Sequence, residues 1–212
     1  MTNIVAHKIS KSYAVNGNQL TVIDDFSYEF TDGTMYCIWG KSGSGKSTLL
    51  KMLGLLTEPT TGAITYNAQP VSNSKARSDY LKNQIGWVLQ NNNLIDNLSL
   101  IDNLKIASPS NHSQREIESA LDSVGLLASI DKKGKHLSGG EAQRLAFARA
   151  TLKNPRVLII DEFTSGLDAD LENRLIALTR EYTSSGTTTL IASHSPAVRA
   201  AADHILEVTP RA

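Results

Sequence analysis

The sequence predicts an α/β fold, and three observations carry that prediction. Short apolar, β-branched runs recur along the chain, bounded by Gly, Pro, Asn or Asp. Segments with apolar residues spaced by three and four lie between several of them. One run, Val157–Ile160, is apolar throughout, as a strand covered on both faces requires.

Taken in order, strands are expected at Ile4–Ile9, Thr21–Ile23, Thr34–Trp39, Ala63–Tyr66, Ile85–Leu89, Val157–Ile160, Thr187–Ala192 and Ile205–Val208. A helix is expected at Ser47–Leu53, after a Gly-rich loop. Arg115–Val124 sets Ile117, Leu121 and Val124 on one side of a second helix. Glu141–Lys153 groups Leu145, Ala148 and Leu152; Leu171–Tyr182 groups Leu171, Leu175 and Leu178. Pro196 suits the first turn of a last short helix. The stretch Asn67–Ser78 is polar and reads as surface. Residues 91–136 read as helix and loop, a helical insertion into the α/β core. With 212 residues and neither internal repeat nor linker, the chain is expected to form a single domain, 1–212.

Composition removes several classes of function. Lys plus Arg is 21 and Asp plus Glu is 21, which argues against a basic nucleic-acid clamp or an acidic tail. Cys37 is the single cysteine, so no intrachain disulfide can form, and a reducing compartment suits the chain. The first ten residues lack the apolar core of a signal peptide. The longest greasy region, Leu49–Leu56, is broken by Lys51 and Gly54, and nothing approaches the roughly 18 apolar residues that span a bilayer. A cytoplasmic protein that is not itself a pore is expected.

Three motifs carry chemistry. Gly40-Lys41-Ser42-Gly43-Ser44-Gly45-Lys46-Ser47 fits the phosphate-loop pattern G-x-x-x-x-G-K-[ST], followed by Thr48. It lies between an expected strand and an expected helix. Its glycines let backbone N–H groups close around phosphate oxygens, and the helix N-terminus adds partial positive charge. Lys46 is placed to reach the β and γ phosphates, and Ser47 to ligate Mg²⁺. A flexible Gly/Ser turn is the plain alternative. Next, the strand Val157–Ile160 ends in Asp161 and Glu162. Asp161 would orient water on the metal beside Ser47; Glu162 would act at the γ phosphate as general base or water positioner. An ordinary strand exit would also carry acids. Last, Leu137-Ser138-Gly139-Gly140-Glu141-Ala142-Gln143-Arg144 opens a helix and exposes N–H groups as a second anion site. The same residues read as a capping box, Ser138 with Glu141, and both readings can hold together.

Residues Leu137 to Arg144 resemble the signature of ATP-binding cassette (ABC) ATPases. With the phosphate loop before and the acidic strand after, the resemblance covers the chain from Ile4 to Val208. It implies the ABC-ATPase form of the phosphate-loop fold: a mostly parallel core sheet, an antiparallel β subdomain, and a helical subdomain at about 91–136. It implies ATP and Mg²⁺ as cofactors. It implies a second ATPase subunit paired head to tail, so that Ser138, Gly139, Gly140 and Glu141 contact nucleotide held by the partner's loop. Other positions gain roles only through this resemblance. Tyr13 is similar to the aromatic that stacks on adenine; by itself it reads as a strand-end core tyrosine. Gln90 resembles the glutamine that senses Mg²⁺ and attacking water, and links them to the helical lobe. Ser165, Gly166, Leu167 and Asp168 resemble the loop joining the two active sites; by itself Asp168 reads as a helix N-cap. His194 resembles the histidine at the γ phosphate; a lone histidine is more often structural.

Two positions depart from the family. Phe163 follows Glu162 where proline is usual, and Ser195 follows His194 where aspartate is common. The resemblance further implies an integral-membrane permease as partner, with residues 91–104 lining its docking groove and the chain held at the inner face of the membrane. Leu53–Gly62 and Gln90–Ile95 look like macrolide-efflux, lipoprotein-release and bacteriocin-export cassettes, which favours export over import. A soluble cassette of iron–sulfur assembly is the rival reading. The interval from Gly45 to Ser138 is too short for the coiled coil of a chromosome or repair cassette, and no guanine-reading loop marks a GTPase.

Overall fold

The structure is a computed structural model and describes residues 3–71, 73–107, 112–163 and 167–209. Two sheets organise it. The strands β1 (Ile4–Val15) and β2 (Asn18–Phe30) form a long hairpin turned at Asn16-Gly17, where both residues have positive φ. Asn and Gly are the residues that tolerate this geometry. The strands β4 (Thr61–Tyr66) and β5 (Gln69–Pro70) extend the sheet, in the antiparallel order β2-β1-β4-β5. The sequence expectation found only short pieces of β1 and β2. Their outer faces are solvated, so polar residues alternate in and the apolar signal breaks.

The second sheet contains β3 (Met35–Trp39), β6 (Ile85–Val88), β7 (Val157–Asp161), β8 (Thr188–Ala192) and β9 (His204–Glu207). All its pairings are parallel, in the order β6-β7-β8-β3-β9. Alternate residues serve two cores. Val157 and Ile159 of β7, with Tyr36 and Ile38 of β3, face α1 (Lys46–Leu53) and the antiparallel sheet. Leu158 and Ile160, with Met35 and Cys37, face the opposite core. That core is built from α3 (Leu100–Ala107), α4 (Gln114–Ser123), α5 (Gly139–Thr151) and α6 (Ala169–Ser184). Covering both faces removes any solvated side from β7, which explains its apolar run.

Helix starts follow the local chemistry. Ser138 caps α5 through a complete capping box with Glu141, and Asp168 caps α6 by accepting from Leu171 N–H. The short helix α7 (Pro196–Ala201) has Pro at its first position. One helix was unexpected. The polar stretch contains the first half of α2 (Ser74–Asn83), capped by Asn73 and burying none of its own residues. It is tied down instead by polar contacts. Arg77 donates to the Leu55 carbonyl at 2.6 Å and pairs with Glu58 at 2.7 Å, while Lys153 donates to the Leu81 carbonyl at 2.7 Å. Without an apolar stripe, periodicity had nothing to detect.

Candidate active site

Parallel strands bring their C-terminal ends to one edge, and the chemistry-bearing residues sit just beyond those ends. Gly40 follows β3, Gln90 lies two residues past β6, Glu162 follows β7, and His194 lies two residues past β8. The β7–β8 register pairs Asp161 with Ala192.

The loop from Gly40 to Gly45 needs its glycines for steric reasons. Gly43 and Gly45 have φ of 78° and 98°. A Cβ on Gly40 would stand 2.3 Å from the Val208 carbonyl oxygen and 2.6 Å from Ser44 Oγ. Lys46, at the start of α1, folds back over this loop and is 4% exposed. Its Nζ donates to the carbonyls of Gly40 (3.0 Å) and Lys41 (3.2 Å). It also lies 3.0 Å from His194 Nε2 and 3.7 Å from Glu162 Oε1. Ser44 Oγ is buried and has no hydrogen-bond partner among the described residues. A buried hydroxyl in that state calls for an external partner, and a phosphate oxygen supplies one.

Beside the loop, Ser47 Oγ donates to Asp161 Oδ1 at 2.9 Å. Burial pushes the Asp161 carboxyl above its usual range, and the neighbouring Glu162 pushes the same way; Ser47, Lys51 and Lys46 oppose them. A carboxylate desolvated beside another acid is a site that a cation stabilises. Ser47 and Asp161 together offer hard oxygen donors of the kind that suit Mg²⁺.

Glu162 is held in a left-handed conformation, φ 53°, which costs a non-glycine residue about 1 kcal/mol or more. Its N–H is anchored on the Ala192 carbonyl at 2.9 Å. Gln90 Nε2 donates to Glu162 Oε2 at 3.2 Å, and His194 Nε2 lies 3.2 Å from Glu162 Oε1. An open cleft bounded by Val22, the loop from Ser42 to Thr48, Gln90 and Glu162 lies over this group.

Sequence reasoning missed Val22, and it missed Trp39. The Trp39 ring stands edge-on to His194 with centroids 6.3 Å apart, and the Arg199 guanidinium lies 5.1 Å over the indole. No residue spacing marks either contact. Tyr13 is on β1 and 40% exposed, with Lys11 Nζ 5.4 Å from its ring centre, so it is not a core residue.

Both departures have structural work. Phe163 is buried and stacks on Phe147 of α5 at 6.3 Å. Ser195 caps α7 by accepting from the N–H groups of Ala197 and Val198.

The residues Ser138, Gly139, Gly140 and Glu141 are not part of the Lys46–Glu162 cluster. The Glu141 carboxylate accepts from Ser138 N–H at 2.9 Å and from Lys132 at 3.0 Å. These bonds, the Ser138 N–H first, bring the Glu141 carboxyl down to about 2. Among the described residues a Cβ on Gly139 would meet nothing within 4 Å, whereas one on Gly140 would touch Leu167 at 3.3 Å. Ser165 and Gly166 lie outside the described residues.

The family model for ABC transporters matches residues 23–165. Curated relatives include the macrolide export ATP-binding/permease proteins MacB of Bdellovibrio bacteriovorus and Salmonella typhi. They are 31% identical over 205 residues and 32% identical over 207 residues. Each alignment covers 94% of this chain and 32% of the relative, so the chain spans about a third of the length of the curated relatives it matches. The dimeric structure of MJ0796, a bacterial ABC transporter cassette, is similar with a TM-score of 0.90 at 25% identity, covering 97% of this chain and 94% of that one. A post-hydrolysis state of MJ0796 bound to ADP and Pi is similar to the same degree. The family match, these relatives and the two-sheet architecture agree: the chain belongs to the ABC transporter family and folds as its ATPase cassette.

Proposed function

We propose that the chain binds Mg²⁺-ATP and hydrolyses it to ADP and phosphate, driving a membrane permease. One observation carries this reading. Glu162, Gln90 and His194 arrive from three separate strand ends and meet Lys46, the first residue of α1, over a glycine loop that holds an unpartnered buried hydroxyl.

In this reading Lys46 exchanges its loop carbonyls for β and γ phosphate oxygens. Glu162 accepts the proton of the attacking water as general base. Gln90 and His194, both within hydrogen-bond distance of Glu162, fix the direction of that carboxylate and the water it holds. Ser47, Asp161 and Gln90 would hold Mg²⁺, which when bound withdraws charge from the phosphates. Tyr13 offers an exposed ring for adenine.

The second half of the site comes from another cassette. Gly139 opens α5 with open space around it, so nothing among the described residues requires a glycine there. Contact of Ser138, Gly139 and Gly140 with nucleotide held by a partner subunit supplies the reason. Both half-sites are present in one chain, which supports a homodimer. The likeness to the dimeric MJ0796 cassette supports the same pairing. The loop from Ser165 to Asp168 would join the two sites.

Among the described residues no helix is long and apolar enough to cross a membrane. The family match and the ATP-binding/permease relatives support work on a permease, docked on residues 91–104 of the helical subdomain, with the cassette at the inner face of the membrane. The names of the MacB relatives support export.

The test is phosphate release by the wild type beside Glu162→Gln, with light scattering in ATP. Turnover in the wild type and an ATP-trapped dimer in the variant support the proposal. Unchanged turnover in Glu162→Gln would remove Glu162 as the base.

A further inference from the structure

Two residues beyond Gln90 the backbone makes an unusual turn. Asn92 and Asn93 both have positive φ, 55° and 48°. Two left-handed residues in succession are disfavoured for any side chain with a Cβ, and asparagine bears this best. The turn's carbonyls share one partner. Arg149 donates from Nη1 to the Asn93 carbonyl at 2.6 Å and from Nη2 to the Asn92 carbonyl at 2.5 Å. Burial lowers the pKa of Arg149, and among the described residues no carboxylate lies within ion-pair distance of it. The guanidinium fork is therefore committed to backbone. Two carbonyls side by side match such a fork, and a lysine cannot reproduce the match.

The two ends of this contact matter. Gln90 precedes the turn, and its amide bonds Glu162 at 3.2 Å. Arg149 lies on α5, the helix that begins with Gly139 and Gly140. We infer that Arg149 is a positioning residue that fixes the Gln90 amide on Glu162 and makes the turn after Gln90 move with α5. This rests on the reading of Gln90 as part of the hydrolytic site.

The experiment compares ATP hydrolysis by the assembled protein in wild type, Arg149→Ala, Arg149→Lys, Gln90→Ala and the Arg149→Ala/Gln90→Ala double variant. Misplacing a catalytic group by an ångström costs up to about a hundredfold, so Arg149→Ala is expected to lose about tenfold or more in kcat, with KM for ATP within about twofold. Arg149→Lys keeps the charge without the fork and is expected to fall nearer to Arg149→Ala than to wild type. The double variant is expected to be no slower than Gln90→Ala alone, because both changes undo one contact. A staple that merely stabilises the fold would give losses that multiply, and that result overturns the inference. Wild-type kcat in Arg149→Lys overturns it too. Normal hydrolysis by Gln90→Ala would refute the reading of Gln90, and the Arg149 assignment with it. Should Arg149→Ala fail to fold, Arg149→Lys alone and paired with Gln90→Ala carries the same comparison.

Discussion

The Nε2 atom of His194 lies 3.2 Å from Oε1 of Glu162, across the ends of two adjacent parallel strands. The same nitrogen is 3.0 Å from Lys46 Nζ. It can accept from Lys46 or donate to Glu162, not both at once. The imidazole thus stands between the cation of the phosphate loop and the acid of β7. A phosphate entering the loop competes with both.

That competition gives the first prediction. Lys46→Ala removes the cation facing the cleft, and one charge-assisted contact is worth roughly 1.5 kcal/mol or more. ATP affinity is expected to fall at least about tenfold. Titration with a fluorescent nucleotide measures it; an unchanged Kd would remove Lys46 from the phosphate site.

Gly139 separates a binding role from a folding one. Its Cβ position is open, and alanine suits a first helical residue, so Gly139→Ala is expected to change stability by no more than about 0.5 kcal/mol. ATP hydrolysis by the dimer is expected to drop. Chemical denaturation and phosphate release are the paired measurements. Full activity would mean that no partner's nucleotide approaches this residue.

Gly54 gives the opposite case. A Cβ there would stand 2.1 Å from Trp87 Cζ2, and Trp87 Nε1 donates to the Gly54 carbonyl at 3.0 Å. Gly54→Ala must push the indole away and is expected to cost about 1–3 kcal/mol. Gly54 ends α1, the helix that begins at Lys46, but lies away from the phosphate loop. Urea unfolding is expected to shift while ATP affinity in the folded protein holds.

Glu141 supplies a pH test. Its carboxyl falls from an ordinary value of 4.5 to about 2, first through the Ser138 N–H and then through Lys132. A depressed carboxylate stabilises the fold above its unfolded pKa, and that stability is lost as pH falls through the folded value. Wild type is therefore expected to exceed Glu141→Gln in stability by up to about 1 kcal/mol at pH 6, since the pair is partly solvated. The gap should narrow from about pH 4.5 toward pH 2. Melting curves across that window check it, and a gap that widens in acid would contradict the assignment.

The legible parts of the fold share a property. The phosphate loop, the Ser138–Glu141 capping box, the Asp168 cap and the apolar β7 are each written in consecutive residues, because each depends on backbone and side-chain contacts within a few positions. The loop glycines Gly43 and Gly45 belong with them. The helix α2 was not legible, since Arg77, Glu58 and Lys153 hold it by contacts distant in sequence. The full lengths of β1 and β2 were obscured by their solvated faces.

The candidate site divides in the same way. By itself the sequence singled out the candidate residues: Lys46, Ser47, Asp161 and Glu162 stand in local patterns, and Gln90 and His194 were placed by resemblance. Only the tertiary structure decided that they meet. The order β6-β7-β8-β3 sets Gln90, Glu162, His194 and the phosphate loop on neighbouring strand ends. The left-handed turn at Glu162, the Trp39 edge against His194 and the Arg149 fork on Asn92 and Asn93 exist only once those strands pair. Periodicity and motif spacing report contacts a few residues apart, whereas strand order is chosen by the burial of both sheet faces across the whole chain.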